Sequence, residues 1–328
     1  MKFFISILLI LLGLFSAQAG FAHHGNVIFD LNTVLTMQGE VNRLVWRNPH
    51  VYLYVDIEDA DGEVREWQLE GDATSIMSRS GWSADVFEPG EQITVRVNPD
   101  RDRGTAHGLI VAAVKSDGTV LMPRSGGRAS TLSATSIEGV WDSIRDFKTR
   151  RFIYGELTEK GKQAKASYTE ADNPVINCIA FPVPAIVAAP YLFEIEILED
   201  QVRLRTELFG VERNFYTDGR QHPEDGELSN QGHSIAWWEG DTLVVDTVNY
   251  EYNPTGNRSG VPGGPQKHSI ETYQLSEDGK QLLVDWVIDD PEYMLEPMTG
   301  GIVWDYAPDR ELMPFGCNPD NARLYDVE

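Results

Sequence analysis

From Tyr191 onward the chain is written in pairs of strand-length runs, and the turn inside each pair is too short to hold a crossover. Tyr191–Leu198 and Val202–Phe209 flank Glu199-Asp200-Gln201. His233–Trp238 and Thr242–Asn249 flank Glu239-Gly240-Asp241. His268–Leu275 and Gln281–Ile288 flank Ser276-Glu277-Asp278-Gly279-Lys280. Parallel neighbours need a connection of a dozen or more residues, so each pair reads as a hairpin. Consecutive hairpins make an antiparallel meander, which removes its own edges by closing into a barrel or half-barrel. Residues 137–328 are therefore predicted to be an antiparallel β-barrel domain.

The first half has a different rhythm. Thr36–Trp46, Val51–Ile57 and Val64–Leu69 alternate apolar and polar residues, as half-buried strands do. A helix follows over Ala73–Ser80, with Asp72 as its expected cap and Gly81 as its stop. Ile93–Val97 and Gly108–Lys115 are two further strands. Three strands, a helix and two strands is the order of a five-stranded OB-like barrel, assigned to residues 23–122. Between the domains, residues 123–136 (PRSGGRASTLSATS) have no hydrophobic period and read as a linker. The fold class is thus mainly β throughout.

Met1 to Ala22 reads as a cleavable signal peptide: Lys2, an apolar run from Phe3 to Phe15, then small residues. Cleavage fits after Ala19 or after Ala22, and no other stretch is apolar enough to span a membrane. The expected address is periplasmic or secreted. The formal charge of −24 repels phosphate backbones and no basic stripe offsets it, so nucleic acid is excluded as a partner. The two cysteines, Cys178 and Cys317, are expected to form a disulfide in an oxidising compartment.

Two stretches resemble known families. Ala22-His23-His24-Gly25, with Trp46-Arg47-Asn48-Pro49-His50, resembles an uncharacterised family of small secreted bacterial proteins. Its members read Ala-His-His-Ser at the export boundary and Trp-x-Asn-Pro-His between the first strands; Gly25 here replaces the serine. Asp218-Gly219-Arg220-x-His222-Pro223, with the run from Trp238-Glu239-Gly240 to Asp246-Thr247, resembles an uncharacterised exported bacterial β-domain family. Gly139-Val140-Trp141 is similar to the Gly-x-Trp with which lipocalins begin, which makes the second barrel lipocalin-like. These resemblances imply a fold and a compartment and carry no activity.

Candidate chemistry lies in three places. Cleavage after Ala22 would free the amine of His23 to chelate copper or zinc with a second imidazole; His24 and His50 complete this metal set. In the second domain His233-Ser234-Ile235 and His268-Ser269-Ile270 open strands in the same phase. If Thr242–Asn249 pairs between them, both histidines share one face and one rim. His222 enters from the loop carrying Asp218 and Arg220, so these five residues form a candidate catalytic set at the barrel mouth. Trp237, Trp238 and Tyr250 offer stacking faces for a ligand. No nucleophile elbow, Walker loop, dinucleotide glycine pattern, His-Glu-x-x-His or Cys-x-x-Cys occurs. The first reading is therefore an exported protein that binds a small, largely apolar molecule in its second barrel. The alternatives are a hydrolase, lyase or isomerase using the second-domain histidines, or metal handling through the N-terminal ones.

Overall fold

The structure is a computed structural model and describes residues 28–59, 61–124, 130–143 and 149–322. The signal segment and the N-terminal metal candidates His23 and His24 lie outside the described residues.

The first unit runs β1 (Leu35–Val45), β2 (Tyr52–Glu58), β3 (Val64–Glu70), α1 (Thr74–Ser78), β4 (Gln92–Pro99), β5 (His107–Lys115) and β6 (Val120–Leu121). Strand order is β3-β2-β1-β4-β5-β6, and a parallel pairing of β3 with β5 closes the first five strands into a barrel. The alternation read in the sequence becomes the inside of that barrel: Val41, Leu53, Val55, Leu69, Val95 and Val97 are all buried. Gly39 is required where β1 passes β2, since a Cβ there would stand 2.5 Å from the Asp56 carbonyl oxygen.

Helix α1 is shorter than expected and is not capped by Asp72. The Asp72 carboxylate is engaged by Arg124 (Nε to Oδ2 2.7 Å), and Ala73 occupies the N-cap position without a side-chain cap. The first turn is instead satisfied from a distance: the Thr74 backbone N–H donates to Asn48 Oδ1 at 2.9 Å. The two sides of this short helix enter different cores. Met77 packs inside the first barrel, whereas Ala73 and Ile76 belong to the hydrophobic core of the second.

The second unit comprises β7 (Gly139–Asp142), β8 (Arg151–Ile153), α2 (Glu159–Ser167), β9 (Leu192–Ile197), β10 (Gln201–Thr206), β11 (Glu212–Tyr216), β12 (His233–Glu239), β13 (Thr242–Val248), β14 (His268–Leu275), β15 (Gln281–Asp289) and β16 (Met298–Tyr306). All three expected hairpins are present, as β9–β10, β12–β13 and β14–β15. β16 pairs along β15 and, through Asp305 and Tyr306, with β7, which closes a nine-stranded ring. The meander is not wholly antiparallel. β11 and β12 run parallel, Phe215 opposite Ser234 and Tyr216 opposite Ile235, because the long segment 217–232 carries the chain back before β12 begins.

The lumen of this barrel is filled. Trp304 stacks on Phe193 with ring centroids 4.0 Å apart, and Trp141, Phe215, Tyr273 and Trp286 are buried with them. A polar cluster fills the rest: Arg213 donates from Nη1 to Glu271 Oε1 at 2.9 Å, and the Tyr273 hydroxyl donates to the same oxygen at 2.7 Å.

The residues after β16 strap the two units together. The Met313 N–H donates to Glu207 at 2.8 Å, and Glu207 also receives Arg79 from the first unit. Asn48 Nδ2 donates to the Phe315 carbonyl, and the Asn318 N–H donates to the Asn48 carbonyl at 3.2 Å. Cys317, just before Asn318, is disulfide-bonded to Cys178, 139 residues away, as expected from the cysteine count. A closed loop of that length removes denatured-state entropy worth up to about 5 kcal/mol in the chain-entropy model.

Asn48 therefore holds the start of α1 and the strap with opposite ends of one amide. Asn48→Ala should lower the free energy of urea unfolding by about 2–3 kcal/mol, since two buried hydrogen bonds lose a partner. Asn48→Asp should not restore it, because a carboxylate cannot donate to the Phe315 carbonyl. A loss below about 0.5 kcal/mol for both variants would show the amide to be dispensable.

Candidate functional site

A cleft of about 650 Å³ opens where the β1–β2 loop meets the connecting segments of the second unit. Pro49 and His50 line it from the first unit; all its other walls come from the second. Val175, Ile176, Phe181, Leu208 and Phe209 form an apolar surface, and Arg150, Lys165 and Arg258 stand among them. No described carboxylate lines the cleft, although Asp and Glu outnumber Lys and Arg by 51 to 27 in the chain.

The backbone around the cleft is held in unusual conformations. Among the described non-glycine residues with positive φ, three line it: Phe209 at 56°, Arg258 at 68° and Ser259 at 53°. Left-handed backbone at such residues costs of order 1 kcal/mol or more each and persists only where the surroundings impose it. Here they do. Phe209 turns the chain from β10 toward β11 while its ring packs on Phe315 of the strap, centroids 4.9 Å apart. The loop of Arg258 is tied from behind by Lys267, whose Nζ donates to the Gly256 carbonyl at 2.5 Å and to the Val183 carbonyl. Burial, only partly opposed by Asp290 and Glu271, pushes the Lys267 ammonium down to about 7.

His50 is held as a cation at the edge of the cleft. Partial desolvation opposes its charge, but the Glu70 carboxylate 2.9 Å away and the Gly71 carbonyl outweigh this and raise its pKa to about 9. A histidine whose folded pKa is raised stabilises the fold fully below its unfolded value, and that stability is lost as pH rises through the folded value. Lys267 contributes with the opposite sign between pH 7 and its ordinary value. The difference between wild type and His50→Gln isolates the first effect. The variant should be less stable at pH 6, and the gap in melting temperature should close between pH 7 and 10. A gap independent of pH would mean that the ring contributes packing alone.

The structure places the candidate catalytic set elsewhere. β13 does lie between the strands that begin with His233 and His268, and His222 joins them. Nδ1 of His222 lies 2.9 Å from Nδ1 of His233, and Nε2 of His222 lies 3.3 Å from Asp246 Oδ1. His268 Nε2 meets the same Asp246 oxygen at 2.8 Å. The chain continues on the other side: Tyr216 stacks on His233, and Arg220, paired with Asp218, lies over the Tyr216 ring at 3.7 Å. These side chains stand at one rim of the barrel but on its outer face. Ser234, Thr247 and Ser269 point into the barrel, so the alternate positions His233, Asp246 and His268 point out.

The electrostatics of this outer chain are graded. The hydrogen bond that His268 donates to Asp246 raises the His268 pKa, while burial and the neighbouring His222 lower that of His233. The donors lie along a line rather than around a point, since His222 uses its two nitrogens on different partners. Among the described residues no group of three or more His, Cys, Asp or Glu is disposed to hold a metal ion. His50, the described member of the N-terminal metal set, has its Nδ1 against Glu70.

The expected ligand-stacking residues also fall outside the cleft. Trp237 and Trp238 stand on the barrel's surface, 40% and 43% exposed, and Tyr250 is buried with its hydroxyl 2.6 Å from Ser269 Oγ. The cleft residues Arg150, Phe209 and Arg258 and the linking Asp246 were not found from the sequence. Arg258 had a signal: it is the one cation in a glycine- and proline-rich loop, residues 254–265 (PTGNRSGVPGGP). Phe209 and Arg150 had none.

The family of unknown function DUF6152 matches residues 12–111, under a third of the chain, which fits the resemblance of the first unit to an uncharacterised family. No curated protein matches the sequence. Among solved structures, a mutant of the fluorescent protein UnaG is similar at 11% identity. It covers 52% of this chain and 95% of its own, with a TM-score of 0.24. A thermostable family-43 glycoside hydrolase is similar at 12% identity over 87% of this chain and 97% of its own, with a TM-score of 0.13.

Proposed function

We propose that the protein is an exported binder of a small molecule with a largely apolar body, held in the cleft between the two barrels. The observation that supports this is the cleft itself: its volume lies in the range of ligand sites, and its walls are apolar with a few polar groups. The lumen of the second barrel, where the sequence pointed, is occupied by its own side chains. None of His222, His233, His268, Asp218 or Arg220 lines the cleft, so the reading is a binder rather than an enzyme built on those residues. The Cys178–Cys317 disulfide is compatible with an oxidising compartment outside the cytoplasm, and no described helix is long and apolar enough to cross a membrane.

The neutral fluorophore phenylnaphthylamine, which brightens on entering an apolar site, tests this. It should bind saturably to the wild type. Val175→Trp, which puts a large ring into the cleft from a half-buried position, should abolish the signal. Phe209→Gly should weaken binding while shifting the melting temperature by less than about 3 °C, because relief of left-handed strain offsets lost packing. Absence of saturable binding, or binding that survives Val175→Trp unchanged, would sink the proposal.

A further inference from the structure

The cleft's charge is out of character for this chain. Most arginines described here are matched to a carboxylate: Arg43 to Glu66, Arg79 to Glu207, Arg151 to Asp285, Arg213 to Glu271 and Arg310 to Asp142. Arg258 has no ion pair among the described residues, and its Nε is buried without a hydrogen-bond partner. Its guanidinium lies over the Phe152 ring at 4.0 Å, and Arg150 approaches the same ring at 5.4 Å. Two like charges gathered on one aromatic ring repel each other across a partly buried space. Burial, and after it the charge of Arg258, lower the Arg150 pKa to about 10. Lys165 adds to the same field from another wall, whereas the charge of His50 is balanced by Glu70.

A cation cluster of this kind, with apolar walls beside it, is complementary to a particular kind of molecule. Guanidinium groups match the planar, forked geometry of a carboxylate or similar oxyanion, and a desolvated site strengthens that match. The loop that carries Arg258 and Ser259, both with left-handed backbone, lines the cleft, and Lys267 bonds the Gly256 carbonyl within it. Resting on the binding reading above, we infer that the ligand is an amphipathic organic anion: an apolar body on the Val175–Phe209 wall, with a carboxylate-like head between Arg150 and Arg258.

Anilinonaphthalene sulfonate and phenylnaphthylamine share one aromatic skeleton and differ by a single anionic group, so together they separate the two claims. The sulfonate should bind the wild-type protein at least about ten-fold more tightly than the neutral probe, a difference of about 1.4 kcal/mol. Raising salt from about 0.05 to 0.5 M should weaken the sulfonate alone. Arg258→Met keeps an unbranched side chain over Phe152 and should reduce the gap to less than about two-fold through loss of sulfonate affinity; Arg258→Lys should restore part of it. Dodecanoate should displace the sulfonate, and dodecanol should not. Equal affinity for the two probes, a gap that survives Arg258→Met, or displacement by inorganic phosphate as effective as by dodecanoate would overturn the anion inference. In each of those outcomes neutral-probe binding still stands and the apolar binding reading survives. Failure of both probes would remove both claims.

Discussion

The arrangement of the two barrels depends on the Asn48 amide. Its oxygen accepts from the start of α1 and its nitrogen donates to the strap, while its own carbonyl receives Asn318. An amide donates and accepts through separate atoms, so one buried residue satisfies three backbone groups from two segments that would otherwise go unpaired. The neighbouring Pro49 and His50 then fall at the edge of the cleft. The Trp-Arg-Asn-Pro-His run that stood out in the sequence is thus a junction of the architecture, with Pro49 and His50 the members that also line the cleft.

Charge is distributed here by a consistent rule with one departure. Arg213 and Glu271 are both buried, and they are tolerable only because each is bonded on several sides. Lys267 is as deeply buried and meets carbonyl oxygens instead, which leaves its charge poorly supported. Arg258 differs from both: its Nε is buried without a hydrogen-bond partner and its guanidinium rests on the Phe152 ring. No described carboxylate lines the cleft beside it, although the chain holds an excess of them.

The hairpins were legible because their signal is local: alternation of period two on either side of a turn fixes both strands and their register. β7, β11 and β16 were not: β7 pairs with β9 and β16, both distant in sequence, whereas β11 and β16 pair mainly with the strands just before them, across connections that carry no tight-turn signal. Phase predicted that His233 and His268 would share a face with β13 between them, and they do. Which face was core could not be read from that phase, because Ser234, Thr247 and Ser269 are polar yet point inward to the Arg213–Glu271 cluster. Polar residues on both sides of a strand erase the usual contrast. The cleft was illegible for a different reason: Arg150, Phe209 and Arg258 come from three separate connections, and only the closed barrels bring those together.

The ring of the second barrel closes between β16 and β7, strands more than a hundred and fifty residues apart in the chain. Such a seam has consequences in time as well as in space. Contacts so distant carry a large loop entropy that must be overcome before they are rewarded, so barrels of this kind fold slowly. Until β16 docks, β7 and β15 each present an open edge, and an open edge pairs readily with another chain. The hairpins can assemble early and locally, but the molecule is protected from association with its own copies only when its most distant strands meet.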